Sequence, residues 1–284
     1  MNRRIRALIC GFLLSLMPLC AGLAEEEEIV FTLEDEVELV EVPVYNDVEW
    51  DFPLMLSQMD PELIRLANKH VLLSRDYVPD PLVTMNTRKA DKQGNNINGG
   101  VNKASSSSMK LQGECASALV EFFEAALEDG ITLYLKSAYR SYQTQNTMYY
   151  NRLKKNNGRD DGWVSKPGAS DHQTGLGCDI VSKAWRSKSL NRDFAKTKEA
   201  QWMAEHAAMY GFILRYPSDK EDVTEINFEP WHFRYVGRDV AWYIMSEGIC
   251  LEEFHERLGK AVDAFLASGG DPALVQAYIQ TSAE

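Results

Sequence analysis

Residues 118–140 read ALVEFFEAALEDGITLYLKSAYR, and two hydrophobic periods meet in them. Leu119, Phe122, Phe123, Ala126 and Leu127 recur at i, i+3, i+4, i+7 and i+8, the spacing of one apolar helix face. Gly130 ends that helix. Ile131, Leu133 and Leu135 then alternate with Thr132, Tyr134 and Lys136, the period of a strand with one face buried. The strand delivers Ser137-Ala138-Tyr139-Arg140 to its end, where polar side chains meet a packed core.

Working outward, the sequence predicts a polar helix from about Tyr142 to Leu153, a loop over 156–168, then a turn and a short strand around Asp179 to Ser182. A helix follows from Lys198 to Tyr210, stopped by Gly211, with strands near Phe212 to Arg215 and His232 to Val236. Helices near Asp239 to Ser246, Leu251 to Leu266 and Pro272 to Gln280 close the chain. Toward the N-terminus, 90–108 is rich in Lys, Asn, Gly and Ser and reads as a long polar loop that packs little. Asp60-Pro61-Glu62 reads as a helix start, with Asp60 as the cap and proline in the first helical position. Helices and strands without strict βαβ alternation predict an α+β fold, a mainly antiparallel sheet flanked by helices.

The 284 residues are 45% hydrophobic and 25% charged, which excludes global disorder. A net charge of -12 with no long basic run argues against a broad nucleic-acid surface. Arg3, Arg4 and Arg6 precede the apolar stretch Ala7 to Leu19, and Ala21-Gly22-Leu23-Ala24 precedes the acid run Glu25 to Glu28. This is the layout of a secretory signal peptide over 1–24. Bulky Leu19 before Cys20 fits a lipid-modified cysteine poorly. The signal places the protein outside the cytoplasm, secreted or in the cell envelope, with membrane contact only through an uncleaved signal. Residues 25–53 read as an acidic arm or linker, 54–248 as the main domain and 249–284 as a helical extension. Cys115, Cys178 and Cys250 remain after processing, too few for a disulfide framework though enough for one bridge. A monomer is expected.

Of five histidines, His70, His206 and His255 have no persuasive ligand spacing and read as structural or surface residues. His172 lies in Ser170-Asp171-His172-Gln173-Thr174-Gly175-Leu176-Gly177-Cys178-Asp179, where two glycines permit a reversal that lets His172 and Asp179 converge. His232 follows Glu229-Pro230-Trp231 and supplies a second imidazole. Two imidazoles and a carboxylate suit a catalytic zinc, with the fourth position left to water. Glu229 is then the candidate general base; Glu225 and Asp222 are farther from His232 in sequence. Cys178, on the opposite strand face from Asp179, reads as a small core residue. Arg140, at a strand end beside Tyr139 and Ser141, reads as a pocket residue. Phe233, Tyr235, Trp242 and Tyr243 read as core, and Trp231 as part of the site. Neither a Gly-x-Ser-x-Gly elbow nor a Ser-x-x-Lys helix start is present, which disfavours a serine route.

The segments Ser137 to Gln145 (SAYRSYQTQ), Ser170 to Asp179 (SDHQTGLGCD) and Glu229 to Gly237 (EPWHFRYVG) resemble the three signature blocks of the VanY-type D-alanyl-D-alanine carboxypeptidases, zinc peptidases of bacterial cell-wall metabolism. Asp76-Tyr77-Val78-Pro79 is similar to a segment before that family's core. The resemblance implies the fold of VanY-type and hedgehog-like zinc peptidases, with one zinc ion per chain at the sheet. It implies His172, Asp179 and His232 as metal ligands, Glu229 as catalytic base, and Arg140 as a catalytic and substrate-binding residue that meets the carbonyl oxygen or the terminal carboxylate. It further implies Gln145, Ser170 and Trp231 as substrate-pocket residues. Ala138 stands where relatives commonly have glycine, and Gly177-Cys178 where they often have alanine and a β-branched residue.

The function implied is hydrolysis of the terminal D-alanine peptide bond of peptidoglycan stem peptides by metal-activated water. L,D-carboxypeptidase, D,D-dipeptidase and endopeptidase variants share that chemistry. A wall-binding module without catalysis is a separate class, against which an intact Glu229 argues. A third reading is an interaction protein, with Leu251, Phe254, Leu258, Val262, Phe265 and Leu266 as an amphipathic stripe for a partner.

Overall fold

In the computed structural model the described residues are 59–276 and 278. β1 (Leu82–Thr84) pairs antiparallel with β2 (Lys110–Gln112), which leads into α1 (Gly113–Glu128). Next come β3 (Leu133–Ser137), α2 (Tyr142–Lys155), the single-turn α3 (Asp171–Thr174) and β4 (Gly177–Ser182). The remaining elements are α4 (Lys198–His206), β5 (Phe212–Leu214), α5 (Glu221–Thr224), β6 (His232–Tyr235), α6 (Arg238–Ser246) and α7 (Leu251–Ala267). The main sheet has the order β3-β4-β6-β5 and is antiparallel throughout, the α+β arrangement expected.

The helix face over 119–127 is narrower than its spacing suggests. Leu119, Phe122, Phe123 and Ala126 are buried, but Leu127 is 37% exposed. Phe122 anchors the packing, with its ring 5.3 Å from both Trp202 and Tyr210 and 5.8 Å from Phe212. Leu133 and Leu135 of β3 are buried on the same core, while Tyr134 and Lys136 stay partly exposed. α4 tightens into a 3-10 turn over Ala207–Tyr210 and stops at Gly211, whose φ is +81°. A Cβ there would stand 2.6 Å from the Tyr235 ring, so glycine serves both the turn and the close approach.

Two local expectations change and a third is refined. Asp60 Oδ1 does accept the Glu62 amide at 2.9 Å, yet 61–64 forms only a turn. The carbonyls of Leu63 and Arg65, which a helix would use internally, instead accept Arg234 Nη2 at 3.0 and 2.7 Å. The polar stretch 90–108 packs more than its composition suggests. Val101 is fully buried, bridges pair Thr87 with Val101 and Lys103 with Leu135, and Glu124 of α1 receives both Arg88 and Asn96. The helix expected from Pro272 opens as a 3-10 turn over Pro272–Leu274, with Gln276 and Tyr278 helical beyond it.

Beyond residue 249, α7 turns Leu251, Phe254, Leu258 and Val262 onto Ile213, Val236, Ile244 and Ile64, with Phe265 and Leu266 packed at the margin. The stripe therefore covers its own domain and is not a free partner face. Cys115, Cys178 and Cys250 are all buried free thiols, so no bridge forms among them. Cys178 lies in the core, as its strand position predicts. Among the described residues no helix is long and apolar enough to cross a membrane. The signal segment 1–24 and the acidic arm 25–53 lie outside the described residues.

Candidate metal centre

The two glycines after His172 have separate duties. Gly175 takes a left-handed conformation, φ +70°, and ends α3 after one turn. Gly177 opens β4, and a Cβ there would stand 2.9 Å from Asp171 Cβ, so the missing side chain lets α3 fold back onto its own strand. The reversal brings Asp179 into register with His232 on β6 and with Ser137 on β3. His172 is tied to the end of β3 from two sides. Its Nδ1 donates to the Ala138 carbonyl at 2.7 Å, and the Arg140 amide donates to the His172 carbonyl at 3.0 Å.

That bond occupies Nδ1 with the proton and leaves the Nε2 lone pair of His172 aimed inward. Nε2 lies 3.4 Å from Asp179 Oδ1, and His232 Nδ1 lies 3.1 Å from the same oxygen. The three donor atoms lie within 4.8 Å of one another, and all three residues are buried. The imidazoles stand edge to face, with ring centres 4.7 Å apart. Burial, reinforced by the Arg140 charge, pulls the His172 pKa down to about 4. Burial would push the Asp179 carboxyl up, but the facing imidazoles of His172 and His232 outweigh it and hold the group well below the usual carboxylate range. A neutral imidazole and an ionised carboxylate are the protonation states that metal ligation needs.

Hydrogen bonding marks the same place. Five buried side-chain polar atoms among the described residues have no hydrogen-bond partner, and three belong to this side of the site: His172 Nε2, Arg140 Nε and Gln145 Oε1. Buried polar groups are normally satisfied, so such a cluster marks a place for a ligand. The converging N, O, N donor set fits one zinc ion with a position left open.

A cavity of about 520 Å³ opens onto the trio. Glu229 reaches it with Oε2 3.6 Å from His232 Nδ1, held by a turn in which the His232 amide donates to the Glu229 carbonyl at 3.0 Å. Burial, and next the Asp179 charge, push the Glu229 carboxyl well above its ordinary value, with Arg140 opposing them. Arg140 has no ion pair among the described residues, and its Nη1 rests 3.2 Å from Met148 Sδ. Gln145 is anchored by Nε2 on the Ser165 carbonyl at 2.7 Å, which leaves Oε1 free at the cavity. Ser170 and Trp231 complete the set, so every site residue singled out in the sequence faces this one cavity. His206 stacks on Trp202, His255 Nε2 meets the Ile64 carbonyl, and His70 pairs with Glu225 at the surface, all away from it.

Sequence reasoning missed three features. Trp163 stacks on Trp231 at 6.2 Å and doubles the aromatic wall. Tyr216 lines the cavity with its ring 5.0 Å from His232. Behind His232 lies a buried ionic network of Asp171, Arg215, Arg234 and Glu252. Asp171 alone offered a signal, through its place beside His172, though an acid there reads as an ordinary solvated one.

Two imidazoles, one on α3 and one on β6, and a carboxylate on β4, beside a half-buried glutamate and an arginine without an ion pair among the described residues, define a metallopeptidase. Residues 108–238 match the family model described as VanY, D-alanyl-D-alanine carboxypeptidase. The chain is 33% identical over 222 residues to the putative carboxypeptidase YodJ of Bacillus subtilis, across 78% of this chain and 77% of that one. It is 37% identical over 133 residues to the bifunctional D-Ala-D-Ala dipeptidase and carboxypeptidase VanXYC of Enterococcus gallinarum, covering 46% and 70% of the two chains. Among solved structures it resembles the LD-carboxypeptidase LdcB, with a TM-score of 0.60 and 36% identity, over 69% of this chain and 87% of that one. It also resembles a vancomycin-resistance D,D-pentapeptidase VanY in complex with Zn(II), with a TM-score of 0.51 and 27% identity, over 68% and 98%. The chain belongs to the VanY-type D-alanyl-D-alanine carboxypeptidase family.

Proposed function

We propose that this protein is a zinc-dependent carboxypeptidase of the cell envelope that removes the terminal D-alanine from peptidoglycan stem peptides. The observation that carries the reading is the convergence of His172 Nε2, Asp179 Oδ1 and His232 Nδ1 in a cavity that also holds Glu229 and Arg140. One zinc ion held by these three atoms would polarise the scissile carbonyl and make a water nucleophilic near neutral pH. Glu229 Oε2, 3.6 Å from His232 Nδ1, takes the proton of the attacking water and returns it to the leaving amine. Arg140 presents its guanidinium to the carbonyl oxygen as charge develops there, or to the terminal carboxylate of the substrate. The free Gln145 Oε1 accepts from a substrate N–H, Ser170 lines the floor, and the Trp231–Trp163 pair forms an apolar wall. A general base poised beside the trio argues for an enzyme over a wall-binding module. The signal-like segment 1–24 supports action outside the cytoplasm, where such stems lie.

Within this chemistry an L,D-carboxypeptidase acting on tetrapeptide stems is a second reading, supported by the TM-score of 0.60 to LdcB against 0.51 to VanY. The test is to incubate the protein with muropeptides bearing tri-, tetra- and pentapeptide stems and follow D-alanine release by mass spectrometry. Loss of one residue from a pentapeptide supports the D,D reading, and loss from a tetrapeptide the L,D reading. A zinc-loaded protein that cleaves none of them refutes the enzyme reading.

A further inference from the structure

His232 poses a question that the trio does not answer. Its Nδ1, 3.1 Å from Asp179 Oδ1, is the atom that the zinc reading gives to the metal, and a neutral ring that ligates through Nδ1 carries its proton on Nε2. That atom is buried and has no hydrogen-bond partner. Asp171 Oδ2, itself fully buried, lies 4.0 Å away on the far side of the ring. It is a carboxylate behind an imidazole.

Asp171 is not loose. Arg215 Nε donates to Oδ2 at 2.6 Å and Arg234 Nη1 donates to Oδ1, while the absent side chain of Gly177 gives the residue room. Arg215 is held in turn by a fork of two 2.7 Å bonds to Glu252, at the start of α7, and its guanidinium lies over the Tyr216 ring at 4.8 Å. Both arginines are fully buried. Well-packed apolar residues would serve stability as well as such a network does, and often better, so its place directly behind His232 calls for another reason.

On the zinc reading proposed above, we infer that Asp171 is a positioning residue for His232, and that α7 is part of the metal centre through Glu252 and Arg215. Asp171 accepts the Nε2 proton of His232, which fixes the tautomer that leaves Nδ1 free as a ligand and sets the plane of the ring. Arg215 sets where Asp171 Oδ2 stands, and Glu252 sets where Arg215 stands. α7 lies beyond residue 238, where the family match ends.

The test reads metal binding rather than turnover. Zinc affinity is measured by competition with a chromophoric chelator, and ligand geometry by the visible absorption bands of the cobalt(II)-substituted protein. Asp171→Asn is expected to weaken zinc binding by about 10- to 100-fold and to alter the cobalt bands. Glu252→Gln should shift both in the same direction by less. Leu258→Ala, which opens a cavity under α7 away from Arg215, should lower stability and leave the cobalt bands as in wild type, which separates positioning from mere support. An Asp171→Asn protein with wild-type affinity and bands overturns the inference. If that variant does not fold, Glu252→Gln decides alone, and unchanged affinity and bands in it overturn the inference. A wild-type protein that binds neither ion refutes the zinc reading itself, whereas wild-type binding with an indifferent Asp171 refutes only the present inference.

Discussion

Two buried polar clusters share one face of the sheet, since His232 and Arg234 are two residues apart on β6 and Asp179 and Gly177 two apart on β4. They are built on opposite principles. Around Arg234 and Arg215, two cations meet the two anions Asp171 and Glu252, and each carboxylate accepts charged donors. Around the trio, by contrast, His172 Nε2, Arg140 Nε and Gln145 Oε1 have no partner among the described residues. The first cluster is a closed structure. The second leaves polar groups without a protein partner at a cost of roughly 1–3 kcal/mol each, which a fold tolerates where a ligand completes the set. Changes in the open cluster should therefore remove function outright, whereas changes in the closed one should cost stability and reach the metal only through Asp171 and His232.

The largest effect is expected from His172→Ala or His232→Ala. Each should lower zinc affinity by more than the ~100-fold at the upper end for supporting residues and abolish D-alanine release, with the far-ultraviolet circular dichroism of the wild type. Unchanged zinc affinity in either variant would remove that histidine from the ligand set. Glu229→Gln comes next, with zinc retained and turnover reduced by about 10²- to 10⁴-fold. Retained turnover would take Glu229 out of the base role. Arg215→Met acts first on stability. It leaves Asp171 and Glu252 buried without their shared cation and should cost about 3–5 kcal/mol of stability, read from urea unfolding. A midpoint equal to wild type would show that the closed cluster is not held as described.

The smallest effect is a pH dependence. Burial alone would raise the Glu252 carboxyl, but the Arg215 guanidinium outweighs it and holds the group below its ordinary value of 4.5. The unfolded chain therefore binds the proton more readily, so this contribution to stability is full above about pH 4.5 and is lost as pH falls through the lower folded value. Urea unfolding between pH 7 and pH 3 should show a shallower acid loss in Glu252→Gln than in wild type. Identical slopes would contradict the pairing.

Much of the fold was legible because its elements carry their own periods. The helix face over 119–126, the alternation over 131–135 and the glycine stops at 130 and 211 are local signals, and each became an element. The open cluster was legible for a different reason: glycines at 175 and 177 announce the reversal that brings His172 to Asp179. Resemblance, rather than spacing, supplied the roles of Gln145, Ser170 and Trp231. The closed cluster left no such trace. Its partners lie 44, 63 and 37 residues apart in sequence, and an arginine beside a strand reads as a solvated side chain until the chain has folded. Trp163 was hidden in the same way, inside a polar loop whose path only the folded chain defines. The stretch 90–108 misled because its anchor, Glu124, belongs to a helix that its own composition says nothing about.

The contrast between the open and closed clusters is tested most directly by anomalous diffraction at the zinc absorption edge from crystals of the purified protein. The result expected is one zinc peak per chain, within bonding distance (about 2.0–2.2 Å) of His172 Nε2, Asp179 Oδ1 and His232 Nδ1. A peak elsewhere, or no peak in protein exposed to zinc, would contradict the account.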